Sequence, residues 1–111
     1  MKIMWCWRCK KNMPMLDELE YKRISDIHTQ CIRSVKEYRQ KTGSSLTESP
    51  LDILYEPLRF EYEKLTGMAN CHQDAIMHHR ISIYGGPCSS CGKPLRTPRA
   101  RMCAACGTKV N

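Results

Sequence analysis

Cys88-Ser-Ser-Cys91-Gly92 and Cys103-Ala-Ala-Cys106-Gly107 are the stretches around which the end of this chain is organised. Each is a Cys-x-x-Cys turn with a glycine directly after its second cysteine. Such a turn needs positive φ at that following position while backbone N–H groups point at sulfur, and glycine reaches this conformation without a Cβ penalty. Two turns of this kind supply four soft thiolates from two tight loops, the ligand set of a closed, tetrahedral, structural zinc site. Eleven residues separate Cys91 from Cys103, fewer than the roughly fifteen to twenty common between paired Cys-x-x-Cys turns. A strand of about four or five residues, a turn and a return strand still fit within them. Pro94 and Pro98 suit the edge of such a hairpin, because neither has an N–H to pair. Disulfides or a thioredoxin-like redox motif are the alternative. A redox motif opens a helix within a strand-helix-strand unit, whereas these two turns come as a matched pair among prolines and glycines. Cys88, Cys91, Cys103 and Cys106 are therefore the expected zinc ligands.

Residues 87–108 resemble the small zinc-ribbon family of bacterial and eukaryotic proteins, which reads Cys-x-x-Cys-Gly, an aromatic residue, then Cys-x-x-Cys-Gly. Met102 stands here in place of the aromatic. The likeness covers about a fifth of the chain and implies a structural metal rather than a particular activity.

Composition sets the frame for the remainder. A chain of 111 residues is one domain's worth, with only one Phe, two Trp and five Tyr to fill a core, and a metal site compensates for a small apolar core. Eight cysteines without a long apolar stretch at residues 1–9 point to metal use in a reducing, cytoplasmic compartment, because secreted disulfide scaffolds follow a signal peptide. No apolar run approaches the ~18 residues of a membrane span. The formal charge of +7 is unevenly distributed. Residues 1–15 carry Lys2, Arg8, Lys10 and Lys11, and residues 88–111 carry Lys93, Arg96, Arg99, Arg101 and Lys109, in both cases without a carboxylate. Residues 43–67 hold Glu48, Asp52, Glu56, Glu61 and Glu63 against Arg59 and Lys64. Four thiolates around a divalent ion add a further local charge of about −2 beside the basic end.

The first fifteen residues form a third knuckle, Cys6-Trp7-Arg8-Cys9, with Lys10 where the other two turns have glycine. Two thiolates do not complete a tetrahedral site, and the remaining candidates are Cys31, Cys71, His28, His72, His78 and His79. From about residue 16 to 42, Ile24, Ile27, Cys31, Val35 and Tyr38 make one stripe of an amphipathic helix, ended by Gly43. His28 and Cys31, three apart, are neighbours on that helix. His72 with His79, or Cys71 with His78, would lie about 10 Å apart along a helix, too far to share one ion. Cys6, Cys9, His28 and Cys31 are thus the expected second zinc site. The alternative leaves Cys31 as a small buried hydrophobe.

Residues 42–50 form a loop, after which Ser49 as N-cap and Pro50 open a second helix over about 50–66. Leu51, Leu54, Leu58 and Leu65 share its inner face, with Phe60 and Tyr62 beside it. Pro57 predicts a kink or a break. Asn70 caps a third helix over about 70–81, in which one of His78 and His79 packs inward and the other is exposed. The expected fold is therefore mainly α with a small β zinc-ribbon: an N-terminal knuckle at 1–15, a helical body at 16–86 and the ribbon at 87–111, forming one compact unit.

The order of parts also resembles small, largely uncharacterised bacterial proteins. In these a Trp-Cys-x-x-Cys start and a Met-Pro-Met-Leu-Asp-Glu run precede helices and a closing Cys-Gly-Lys-Pro-Leu-Arg-Thr-Pro ribbon, here at residues 5–9, 13–18 and 91–98. The likeness implies a neutralising, immunity-type role beside a toxin.

No phosphate-cradling glycine loop or nucleophilic serine elbow is present, a four-cysteine zinc site is closed to substrate, and no small-molecule substrate is evident. A non-enzymatic binding protein is expected. The acidic residues Glu56, Glu61 and Glu63 and the basic Arg96, Arg99 and Arg101 are its candidate contacts, and mixed polarity favours a protein partner. One alternative is a nucleic-acid regulator, using the same arginines with Trp5 and Trp7 stacked on bases. The other is a redox protein working through Cys6 and Cys9, with Arg8, Lys10 and Lys11 lowering a thiol pKa.

Overall fold

The computed structural model describes residues 1–110; Asn111, the last residue of the expected ribbon span, lies outside them. The fold is mixed α/β. A hairpin of β1 (Lys2–Cys6) and β2 (Lys11–Met15) is followed by α1 (Glu18–Thr42), α2 (Leu51–Leu54), α3 (Glu56–Thr66), α4 (Gln73–Ile76) and a single 3₁₀ turn (Ile81–Ile83). None of the described helices is long and apolar enough to cross a membrane. The chain divides into two compact units. One joins Met1–Tyr21 to the segment from His78 onward, and the other is the continuous stretch Lys22–Met77.

In the first unit the antiparallel hairpin runs in the register Lys2↔Met15 to Cys6↔Lys11, which places the Cys6-x-x-Cys9 turn at its tip. Met13, Met15, Leu16 and Cys6 are buried, so the inner edge of a segment read as a bare knuckle is a paired strand. After β2, Leu16 pairs in parallel with Arg80. The Leu16 amide donates to the His79 carbonyl at 2.8 Å, and the Ile81 amide donates to the Leu16 carbonyl at 3.0 Å. Asp17 then caps α1 through a reciprocal box. Its carboxylate accepts from the Glu20 amide at 2.9 Å, and the Glu20 carboxylate accepts from the Asp17 amide at 3.0 Å, satisfying two donors that a helix start leaves orphaned. Arg80 reaches Glu18 with bonds of 2.9 and 2.5 Å and lies over the Tyr21 ring.

The second unit contains the rest of α1, whose Ile24, Cys31 and Val35 are buried as the stripe predicts. Gly43 ends the helix at φ 71°, its amide donating to Arg39 at 2.8 Å. The predicted helix over 50–66 is two helices that meet at Tyr55. Pro57 occupies the first turn of α3, where its missing N–H forfeits no helical bond, so the break falls just ahead of the proline. Ser49 does not cap α2; its hydroxyl donates to the Ser45 carbonyl at 2.8 Å instead. Leu58 and Tyr62 are buried, while Phe60 is turned to solvent, as the helical period requires of a residue two positions from each.

The predicted helix over 70–81 is corrected to one turn. Asn70 takes a positive φ of 60°, and His72 is the cap, its Nδ1 accepting from the Asp74 amide at 3.1 Å. Beyond Ile76 the backbone leaves the helix, because the His79 carbonyl and the Ile81 amide bond to Leu16 instead of to helical partners, and the chain then makes the 3₁₀ turn at Ile81–Ile83.

Candidate metal centres

The C-terminal segment is two copies of one turn. In the first, the Cys88 amide donates to the Lys93 carbonyl and the Gly92 amide to the Cys88 carbonyl, both at 2.8 Å. In the second, the Cys103 amide donates to Thr108 and the Gly107 amide to Cys103, both at 2.9 Å. Gly92 and Gly107 have φ of 75° and 80°, the positive values the sequence demanded of them. Each Cys-x-x-Cys is thus the tip of its own minimal hairpin, closed by the bridges Pro87↔Pro94 and Met102↔Lys109. This corrects the expectation that residues 92–102 themselves form a strand pair. The prolines explain the difference, since Pro94 and Pro98 deprive such a ladder of its donors. Leu95, Ala100 and Ala105 pack against Cys88 and Cys103 beneath the turns.

The four sulfurs of Cys88, Cys91, Cys103 and Cys106 all lie within 4.8 Å of one another, with Cys88 to Cys106 and Cys91 to Cys103 both at 3.7 Å. Two sulfurs each ~2.3 Å from a tetrahedral ion stand about 3.8 Å apart, while a disulfide brings them to ~2.05 Å. None of the eight cysteines is disulfide-bonded. The thiols also divide in acidity. Hydrogen bonding with the Thr108 hydroxyl, and then with its amide, pulls the Cys106 thiol down to about 6. The amides of Cys91 and Ser90 lower that of Cys88. At Cys91 the Lys93 amide favours the thiolate, but burial and the neighbouring sulfurs outweigh it and push the thiol up to about 11. Four adjacent sulfurs cannot all ionise unless a cation offsets their repulsion. The group can hold a metal ion with every coordination position filled by protein.

A second group of Cys6, Cys9 and His79 also has its ligand atoms within 4.8 Å. His79 Nε2 lies 3.5 Å from Cys9 Sγ, and Cys6 and His79 are fully buried. Burial, then the nearby His78 and Lys11, lower the His79 pKa to about 4, which leaves the imidazole neutral. Burial opposes ionisation of Cys6, yet its contact with the Tyr84 hydroxyl at 3.3 Å and the hydrogen bonds from the Cys9 and Arg8 amides outweigh it, and the pKa is lowered. Burial and the Cys6 charge raise that of Cys9. This group, too, can hold a metal ion.

The ligand set Cys6, Cys9, His28 and Cys31 is not the one brought together. His28 and Cys31 lie in the second unit, where the His28 ring meets Tyr55 at 5.9 Å and Cys31 is a buried thiol whose pKa burial raises; neither belongs to a metal-compatible group among the described residues. His79 was missed because the helical assignment of residues 70–81 fixed its direction. The signal available was its place among the leftover ligands. His78 is half-buried, its Nε2 2.8 Å from Arg8 Nη1.

Of the candidate partner contacts, Glu61 is engaged by Arg23, whereas Glu56 is half-exposed and Glu63 exposed on α3. Arg96, Arg99 and Arg101 are exposed. Trp5 and Trp7 already carry cations on their rings, Lys93 at 4.7 Å and Arg8 at 4.9 Å. A groove of about 530 Å³ beside β1 includes Trp5, Asn12, Tyr84 and Gly86 in its lining, with Lys2 and Lys93 as its only charged side chains, and none of the ligand cysteines reaches it. Compared with known protein families, curated proteins and solved structures, the chain matches none.

Proposed function

We propose that this chain is a zinc-stabilised, non-enzymatic recognition protein that acts through a protein partner. Zinc is the ion suited to four thiolates at tetrahedral separations, and a closed site leaves it no position for chemistry, so its role is architectural. The observation that carries the choice of partner is Phe60. It is 60% exposed on α3, with Glu56 one turn before it, Glu63 one turn after it, and Ile53 67% exposed on α2. An aromatic anchor flanked by two carboxylates suits a basic protein surface, where buried aromatics supply most binding energy and charges steer the encounter. It repels a polyanion. The tryptophans that would stack on bases have cations over them, and the exposed arginines of the C-terminal turns offset the dianionic metal centre beside them. A neutraliser of a basic, nuclease-type toxin, the role implied by the resemblance, would present this kind of acidic face.

The test has two arms. Polarisation against mixed DNA and RNA at about 50 mM salt should show no binding, because phosphate recognition is strongest at low salt; tight, salt-sensitive binding overturns the reading. Affinity capture from the source cell should retain a protein with the wild type that is lost with Phe60→Ala and with Glu63→Lys. Identical capture by all three also overturns it.

A further inference from the structure

We infer that Cys6, Cys9 and His79 form a second zinc centre, with three protein ligands and a fourth position open to an exchangeable water or small anion. This goes beyond the recognition role and does not depend on it. Three observations converge on the site.

The N-terminal turn has the same build as the two C-terminal ones. The Lys10 amide donates to the Cys6 carbonyl at 2.7 Å, Cys6 is paired with Lys11 across the hairpin, and the residue after the second cysteine has positive φ, 56° at Lys10. The left-handed conformation strains a residue with a Cβ. A lysine held there marks a turn kept for what its sulfurs do.

The ligand distance fits an ion. For bonds of about 2.3 Å to sulfur and 2.0–2.1 Å to nitrogen, tetrahedral geometry separates S and N by about 3.5 Å, and Cys9 Sγ lies 3.5 Å from His79 Nε2. Nε2 thus faces the sulfurs. The Leu16 amide bonded to the His79 carbonyl fixes the backbone that delivers the ring. Tyr84 ties the surroundings together, with its hydroxyl 3.3 Å from Cys6 Sγ and donating to the His78 carbonyl at 3.0 Å, in the manner of outer-shell groups that orient metal ligands.

Charge matches burial. Two thiolates and a neutral imidazole around a divalent cation sum to zero, which suits a site whose Cys6 and His79 are fully buried. The dianionic four-cysteine centre instead has two exposed sulfur residues, Cys91 and Cys106. The nearby His78 is held by Arg8 and is not one of the three grouped ligands. Cys9 is the most exposed of them, so the fourth position opens on its side.

The experiment uses the full chain, purified under reducing conditions, saturated with zinc and cleared of loosely bound ions. Two zinc ions per chain are expected for the wild type and one for His79→Gln. One ion in the saturated wild type, or two in both proteins, overturns the site. Should the variant not fold, long-range ¹H–¹⁵N correlations of the wild type decide: metal-bound Nε2 at His79 supports the site, and a metal-free ring overturns it. With cobalt(II) in place of zinc, azide should alter the ligand-field bands, and an unchanged spectrum overturns the open position.

Discussion

At the scale of single residues, Lys10 shows conformation being spent on a site. Replacing it with glycine removes a left-handed penalty of about 1–2 kcal/mol against about 0.5–1 kcal/mol of added chain entropy. Lys10→Gly is expected to raise stability by up to about 1.5 kcal/mol, read from the urea midpoint. Glu18 offers a test in proton binding. The hydrogen bonds from Arg80 and then Ser82 hold its carboxyl down at about 2. A folded-state pKa depressed below the unfolded value gives stability present above about pH 4.3 and lost as the pH falls towards 2. NMR titration should find that low midpoint, and added salt should raise it, since the group is exposed and screened. Sequence legibility divides at this scale. The sulfurs of residues 88–106 were legible because spacing and the two glycines are local signals. His79 was not, because a backbone ladder to Leu16, far away in sequence, decides where its ring points.

At the scale of elements, the periodicity in α1 and α3 located the buried stripe at Ile24, Cys31, Val35 and Leu58. Periodicity does not report where a helix stops. The helix expected over 70–81 stops at Ile76, ahead of the bridge between Arg80 and Leu16, and the stretch between Cys91 and Cys103 joins two hairpins instead of forming one. Leu58→Ala should cost about 2–5 kcal/mol by emptying a fully buried position, whereas Phe60→Ala should leave the denaturation midpoint nearly unchanged. Gly85 makes the complementary case. Its amide donates to the Leu95 carbonyl at 2.8 Å, and a methyl there would collide with the Thr97 carbonyl oxygen. Gly85→Ala is expected to destabilise by about 1–3 kcal/mol, seen as a lower thermal midpoint.

For the molecule as a whole, the helices from Lys22 to Met77 make one unit and all the proposed ligands sit in the other. Stripping the ions with a strong chelator should therefore lower the thermal midpoint and abolish amide-exchange protection over residues 85–110, with most helical circular dichroism retained. Unchanged heat resistance and protection after stripping would remove the architectural role of the metal. The ligand-bearing unit is also assembled from both flanks of the helical stretch, which bears on biogenesis. On the ribosome, Cys6 and Cys9 emerge long before His79 is translated, and the helices have time to form in between. A metal held by the proposed Cys6, Cys9 and His79 ligands would thereby be captured only in the late phase of synthesis.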